Sequence, residues 1–270
     1  MPIDNAAASM MTSKKLRNLR EYLAFYSGLG LLAGISLLWS VLALPLNLVL
    51  PRKWKKQTGR LVITMGFRMY LRALSIMGAC RFDLKALDTL QRESPMIVAP
   101  NHPSLLDALM VISRMPNLAC IMKAELVDNV FFGAGARLAC YIRNDSLRRM
   151  IRLAVEDLRG GSHLLLFPEG TRSNRLPIGT VRGSIALIAK EARVPVQTVL
   201  IETDSAFLTK GWPFFRKPSM PIHYRIHLGQ RFDPPTDVRG FTAELESYFQ
   251  SALVDAKLPH LPAATGVHSS

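Results

Sequence analysis

Residues 22–51 carry no charged side chain. A helix needs only about 20 apolar residues to cross a bilayer core, so this run is long enough to do so. Leu31, Leu32, Leu37, Leu38, Val41 and Leu42 supply its apolar bulk, and Pro45 and Asn47 interrupt its far end. Lys14, Lys15, Arg17 and Arg20 precede it. Arg52, Lys53, Lys55, Lys56 and Arg60 follow, with Trp54 placed as an interfacial anchor would be. The run is too long, and its basic region begins too far in, for a signal peptide. It predicts a membrane-embedded helix, or a re-entrant hairpin bent near Pro45. The cation balance, with Glu21 on the leading side, leans toward a cytoplasmic catalytic part.

The rest of the composition agrees with a membrane surface. The chain of 270 residues is 49% hydrophobic with a net charge of +14, a mean hydropathy of +0.16 and a pI near 10.1. That balance favours an anionic partner. Zinc-finger spacing, a ribonucleoprotein-type aromatic motif and a long basic tail are all missing, so nucleic acid is excluded in favour of an anionic bilayer. Cys80, Cys120 and Cys140 are scattered and odd in number, which predicts reduced, buried, structural thiols. Residues 61–79 place Val62, Ile63, Phe67, Tyr70, Leu71 and Leu74 at helical spacing, with Arg60, Arg68 and Arg72 toward another side. This predicts an amphipathic helix, ended by Gly78, on the membrane or beneath the domain.

From there strands and helices alternate. Strands are predicted at 81–84, 96–99, 118–122, 140–142, 163–167, 196–201 and 222–228. Helices are predicted at 145–159, capped by Asp145 and stopped by Gly160–Gly161, then at 181–193 and 241–253. Such alternation predicts an α/β layer fold with a largely parallel sheet flanked by helices. Residues 258–270 have the composition of a loose tail, and 1–13 of a frayed start.

Two polar stretches stand at predicted strand ends. Asn101-His102-Pro103-Ser104-Leu105-Leu106-Asp107 follows the strand at 96–99. Pro103 suits the first position of a helix, which would put His102 at the corner and Asp107 about a turn on. At that spacing a carboxylate reaches one imidazole nitrogen and leaves the other free to take a proton. Taken alone, the pair also suits a helix-capping His and a solvent-facing Asp. The second stretch, Phe167-Pro168-Glu169-Gly170-Thr171-Arg172-Ser173, packs a carboxylate, a glycine, a hydroxyl and a guanidinium at another strand end.

Together the two stretches resemble the glycerolipid acyltransferase family, the 1-acylglycerol-3-phosphate acyltransferases and relatives. That family carries Asn-His-x-x-x-x-Asp and Phe-Pro-Glu-Gly-Thr-Arg-Ser in this order. The resemblance spans residues 96–201. It implies His102 as general base and Asp107 as its orienting partner. It also implies an acceptor site made by Arg143, Glu169, Gly170, Thr171 and Arg172, with Arg143 and Arg172 clamping a phosphate. Lys123, in Lys-Ala-Glu-Leu, resembles a lysine that would add positive potential there. Three details depart from the pattern or match it weakly. Arg137 stands where the glycine leading into Arg143 is expected, unless Gly135 takes its place. Thr198 replaces the second proline of the fourth motif. Arg182-Gly183 is a short match to a basic residue and glycine before a helix.

The resemblance implies a glycerolipid acyltransferase-type fold with an N-terminal membrane-embedded helix or hairpin. It divides the chain into a basic segment at 1–21, embedded and amphipathic helices at 22–80, an acyltransferase domain at 81–257 and a tail at 258–270. It implies a fatty acyl group moved from acyl-CoA or acyl carrier protein, as co-substrate, to a lysophospholipid hydroxyl, 1-acylglycerol 3-phosphate first. In a bacterium the site would be the inner membrane, with the catalytic domain toward the cytoplasm. Two alternatives stand: an O-acyltransferase with a lyso-ornithine, polyene or glycan lipid acceptor, and a non-catalytic lysolipid-binding protein. No cofactor and no metal is expected. His223 and His227 would lie about 13 Å apart on a strand, too far to share an ion.

Overall fold

The computed structural model describes residues 3–129, 133–173 and 178–254, with side chains from residue 14 onward except at 52–53. The predicted tail at 258–270 lies outside them. The first helix, α1, runs from Ile3 to Val49 and passes straight through Pro45. The chain then turns at Leu50-Pro51 into α2, Arg52–Ile76. The bend therefore lies beyond Pro45, and the helical start corrects the frayed one expected. Pro45 lacks the N–H that would bond the Val41 carbonyl; two residues on, Asn47 donates its side-chain amide to Ala43 O at 2.8 Å and to Ala134 O at 3.2 Å, which ties this end of the helix to the domain. Gly78, at φ +73°, ends the hairpin as predicted.

Seven strands follow: β1 (Cys80–Asp83), β2 (Ile97–Pro100), β3 (Leu118–Lys123), β4 (Ile142–Asn144), β5 (His163–Leu165), β6 (Val196–Thr203) and β7 (Ile222–Phe232). Their order in the sheet is β1-β7-β6-β2-β5-β3-β4. Strands β2 to β6 are parallel; β7 is antiparallel to β6, and β1 runs parallel to β7. The largely parallel α/β sheet is thus as the alternation predicts. Between the strands lie α3 (Asp107–Arg114), α4 (Ala124–Val127), α5 (Gly133–Leu138), α6 (Leu147–Arg159), α7 (Ser184–Ala192) and, last, α8 (Val238–Ala252). A 3₁₀ segment, Lys85–Arg92, precedes β2.

Three boundaries move for local reasons. Strand β4 starts at Ile142, not 140, because Cys140 takes a left-handed turn (φ 53°) after α5. Helix α6 takes Ser146 as its first flanking residue, because Asp145 pairs with Arg143 Nε at 3.0 Å rather than capping the helix. Pro103 lies in a turn, and α3 begins only at Asp107. The thiols are all free; Cys80 and Cys120 are buried, but Cys140 is only half-buried. Burial pushes the Cys120 thiol up to about 12, which makes it inert as a nucleophile.

The apolar residues divide by sheet face. One core gathers Leu87, Leu90, Met110, Val111, Ile112 and Leu118 with Phe25, Leu71 and Leu74 of the hairpin. The other gathers α6, α7 and α8 through Ile151, Leu158, Ile185, Ile188, Leu245 and Phe249. Arg60 breaks the expected pattern. It lies 1% exposed inside the fold, whereas Arg68 and Arg72 remain at the surface.

His163, at the start of β5, is 5% exposed, and its Nδ1 has no hydrogen-bond partner. Burial holds its imidazole below the usual histidine range, against the pull of nearby Glu93. The unfolded chain therefore takes up a proton that the folded chain resists. Stability is expected to fall as pH drops below about 6.5. Comparing urea midpoints at neutral and mildly acid pH should show a smaller loss for His163→Gln than for the parent chain. Equal losses would clear His163 of the effect.

Candidate active site

His102 follows the carboxyl end of β2, and three local bonds shape the turn behind it. Asp107 Oδ2 accepts from the Ser104 amide at 2.7 Å, Ser104 Oγ accepts from the Leu106 amide at 3.3 Å, and the Asp107 amide donates to Ser104 O at 3.3 Å. These bonds hold residues 103–106 as a tight turn and fold Asp107 back toward the histidine. The same Asp107 Oδ2 lies 2.9 Å from His102 Nδ1. Asp107 is fully buried, and its burial pushes the carboxyl above the usual range. The His102 hydrogen bond, the Ser104 amide and the Arg172 charge pull the other way. With Nδ1 donating to the carboxylate, Nε2 is left as the proton acceptor. The imidazole ring is 13% exposed.

Contacts from distant segments fix the ring further. Phe167, just after β5, stacks on it with centroids 3.8 Å apart and planes 17° from parallel. The Ser173 amide donates to His102 O at 2.9 Å, joining the two motif stretches directly. Asn101 is buried and bridges to β6: its amide donates to Ile201 O at 3.0 Å, and its carbonyl accepts from Ile201 N at 2.7 Å. It extends the β2–β6 pairing one residue past the strand end and aims the corner. Sequence reading missed both roles, because each partner lies far along the chain.

The second stretch is held as a loop. Glu169 is buried and accepts from Ser173 Oγ at 2.6 Å and from the Gly179 amide at 2.8 Å. Burial raises its carboxyl, while these two donors oppose the shift. Both of its oxygens are therefore engaged within the loop. Arg182 Nε reaches back to Glu169 O at 3.1 Å and lies under Gly170, whose φ of +70° and close contact with that guanidinium both favour glycine. Thr171 and Arg172 are half-buried. Arg172 donates to Leu208 O at 2.9 Å and to Thr209 O at 3.1 Å.

Arg143 and Lys123 lie further off. β4 stands three strand spacings from β2, about 14 Å. Arg143 there pairs with Asp128 at 2.9 Å and with Asp145 at 3.0 Å. Lys123 ends β3, exposed. Gly135, not Arg137, meets the steric demand in the lead-in: a Cβ there would collide with the Trp39 indole. Arg137 instead donates to Val127 O at 2.7 Å. Thr198 is buried in β6 beside a bulge and donates to Gln230 O at 2.7 Å. His223 and His227 both lie on the exposed side of β7. His223 sits 2.7 Å from Asp204, and His227 4.0 Å from Glu202.

Comparison with known proteins supports the resemblance that the two motifs carry. The acyltransferase family model matches residues 81–202. A 1-acyl-sn-glycerol-3-phosphate acyltransferase of Pseudomonas aeruginosa is 25% identical over 213 residues, 75% of this chain and 77% of that protein. A lyso-ornithine lipid O-acyltransferase of the same organism is 32% identical over 127 residues, 46% of this chain and 48% of its own length. The crystal structure of the 1-acyl-sn-glycerophosphate acyltransferase PlsC from Thermotoga maritima superposes with a TM-score of 0.62 at 21% identity, covering 88% of this chain and 95% of that one. The fold, the family match over residues 81–202 and the two intact motifs inside it lead to one conclusion: this chain is an acyltransferase, similar to the 1-acyl-sn-glycerol-3-phosphate acyltransferases.

Proposed function

We propose that the chain moves a fatty acyl group from an acyl thioester to the free hydroxyl of a lysophospholipid, 1-acyl-sn-glycerol 3-phosphate before others. The observation that carries this reading is the His102–Asp107 pair, 2.9 Å apart, joined through the Ser173 amide to the Glu169–Arg172 loop. His102 Nε2 takes the acceptor proton as its oxygen attacks the thioester carbonyl. The C–S bond breaks, and the imidazolium returns the proton to the departing thiolate. Asp107 holds the ring and balances its charge. Gly170, Thr171 and Arg172 line the acceptor side, and Glu169 keeps their loop in shape. Lys123 contributes positive potential from the far side, where Asp128 and Asp145 already offset the charge of Arg143. Positioning of both substrates supplies much of the remaining acceleration.

The hairpin sets this chemistry at a bilayer. Among the described residues, 14–49 form one helix apolar enough to cross a membrane, and only 17% of its most apolar window is buried. A core helix would be covered. Yet both ends of the uncharged run of α1 hold the same domain, through Phe25 against Phe207 and Asn47 against Ala134. A helix tied at both ends cannot pass straight through a bilayer. We therefore place α1 and α2 lengthwise in one leaflet, with the domain beneath on the cytoplasmic side.

The test is free-thiol release from a long-chain acyl-CoA and from an acyl carrier protein thioester, with and without 1-acylglycerol 3-phosphate. Release that needs the acceptor supports the reading; release without any acceptor marks a thioesterase and overturns it. The partial match to a lyso-ornithine lipid enzyme favours a second acceptor class. Turnover with lyso-ornithine lipid that outpaces the phosphate acceptor would select it.

A further inference from the structure

The connection from β6 to β7, residues 204–221, crosses the carboxyl edge of the sheet between the catalytic turn and α1. Its inner side is fastened to the catalytic segment. Leu105 N donates to Leu208 O at 3.2 Å, Ser104 Oγ to Phe207 O at 3.1 Å, and Arg172 to Leu208 O and Thr209 O. Phe207, Leu208 and Thr209 are buried. Its flank is fastened to α1. The Phe207 ring meets Phe25 edge to face at 5.9 Å, and Lys217 pairs with Glu21 and lies 5.1 Å from the centre of the Tyr22 ring.

Its outer side shows the reverse character. Phe214 and Phe215 are 49% and 71% exposed and pack edge to face against each other. Arg216 lies over the Trp212 ring at 5.0 Å, and Lys210 is exposed beside them. Tyr22 and Tyr26 of α1, stacked on one another and 44% and 50% exposed, continue the band. Aromatic rings mixed with cations, on a chain of net charge +14, match the headgroup level of an anionic bilayer.

The geometry points to this loop as a membrane-contact element in its own right: Phe214 and Phe215 insert at the lipid interface while Arg216 meets anionic headgroups. This rests on the reading that the acceptor is a membrane lipid. Because the same loop grips Ser104, Leu105 and Arg172, its seating sets the depth of the catalytic turn relative to the interface. A lysolipid can then reach His102 without leaving the bilayer.

The experiment uses the full chain in nanodiscs of phosphatidylcholine and phosphatidylglycerol, with and without bromine on the upper acyl carbons. The difference in emission between the parent and Trp212→Phe isolates Trp212. Bromine should quench that component by about half or more. In parallel, Phe214→Ser/Phe215→Ser should raise the apparent KM for long-chain acceptor in vesicles about tenfold, with kcat held within about twofold and a short-chain, water-soluble acceptor unaffected. Trp212 emission indifferent to bromine overturns the proposal, and so does an unchanged KM in vesicles. Equal losses on both acceptors would assign the loop to support of the catalytic turn alone. If no acceptor is turned over at all, the acyl-transfer reading fails, and quenching still decides where the loop sits.

Discussion

His102→Ala is expected to abolish acyl transfer while leaving the fold intact. The imidazole is held by one ring stack and one carboxylate, both beyond the carboxyl ends of the central strands, so removing it opens little of the core. Losing a general base lowers the rate roughly 10² to 10⁴-fold, about 3–5 kcal/mol of barrier. Asp107 allows a finer cut. One oxygen, Oδ2, accepts from both His102 and the Ser104 amide, while Oδ1 is buried with no partner. An asparagine can place its carbonyl at Oδ2 and keep both bonds, and with them the ring tautomer. What it loses is the negative charge that balances the imidazolium, and it buries an NH₂ with no acceptor. Asp107→Ala loses geometry and charge together. The expected order of damage is therefore His102→Ala and Asp107→Ala deepest, with Asp107→Asn about tenfold or more shallower. Single-turnover thiol release, with folding checked by circular dichroism, reads this order. Substantial transfer by His102→Ala would remove the base; Asp107→Asn as dead as Asp107→Ala would mean that charge alone, not ring orientation, is what Asp107 supplies.

The elements that were legible in the sequence are the local ones. Strands β2, β3, β5 and β6 announce themselves as short apolar runs, and α6 as a single apolar stripe closed by Gly160. His102 and Asp107 were legible because only five residues separate them, and a turn of that length fixes their approach. The short elements α4, α5 and the 3₁₀ segment carry too few residues to show a period. Phe167, Asn101 and the 204–221 loop draw their roles from contacts that only the sheet order creates. The run Trp212-Pro213-Phe214-Phe215-Arg216-Lys217 was a visible signal, since paired aromatics beside cations are uncommon on a water-facing loop. Arg60 shows how averaging misleads. At 3.6 residues per turn it stands about 120° around the helix from Arg72, so the arginines of α2 never formed one polar face.

Asp157→Ala is expected to be the most damaging single change outside the catalytic pair. Arg60, carried by the membrane hairpin, is 1% exposed. Its Nε donates to Ala139 O at 3.1 Å and its Nη1 to Ser162 Oγ at 2.9 Å, while its Nη2 pairs with Asp157 on α6. Lys56 reaches the other oxygen of the same carboxylate. This cluster fastens α2 to the far end of α6 and so holds the hairpin against the domain. Removing Asp157 leaves a guanidinium buried without its counter-charge. That costs about 3–5 kcal/mol, because the cation cannot regain water, and lowers the unfolding temperature in detergent by about 6–20 °C. Arg60→Met behaves differently. It removes the buried cation itself and leaves Asp157 paired with Lys56, so its loss should be smaller. Joining Arg60→Met with Asp157→Leu should recover much of what Asp157→Ala loses, since an apolar replacement of a buried pair is often near neutral. Thermal unfolding of the three variants and the parent closes the comparison. An Asp157→Ala protein as stable as its parent would show that Arg60 needs no counter-charge and that apolar packing alone seats the hairpin on the domain.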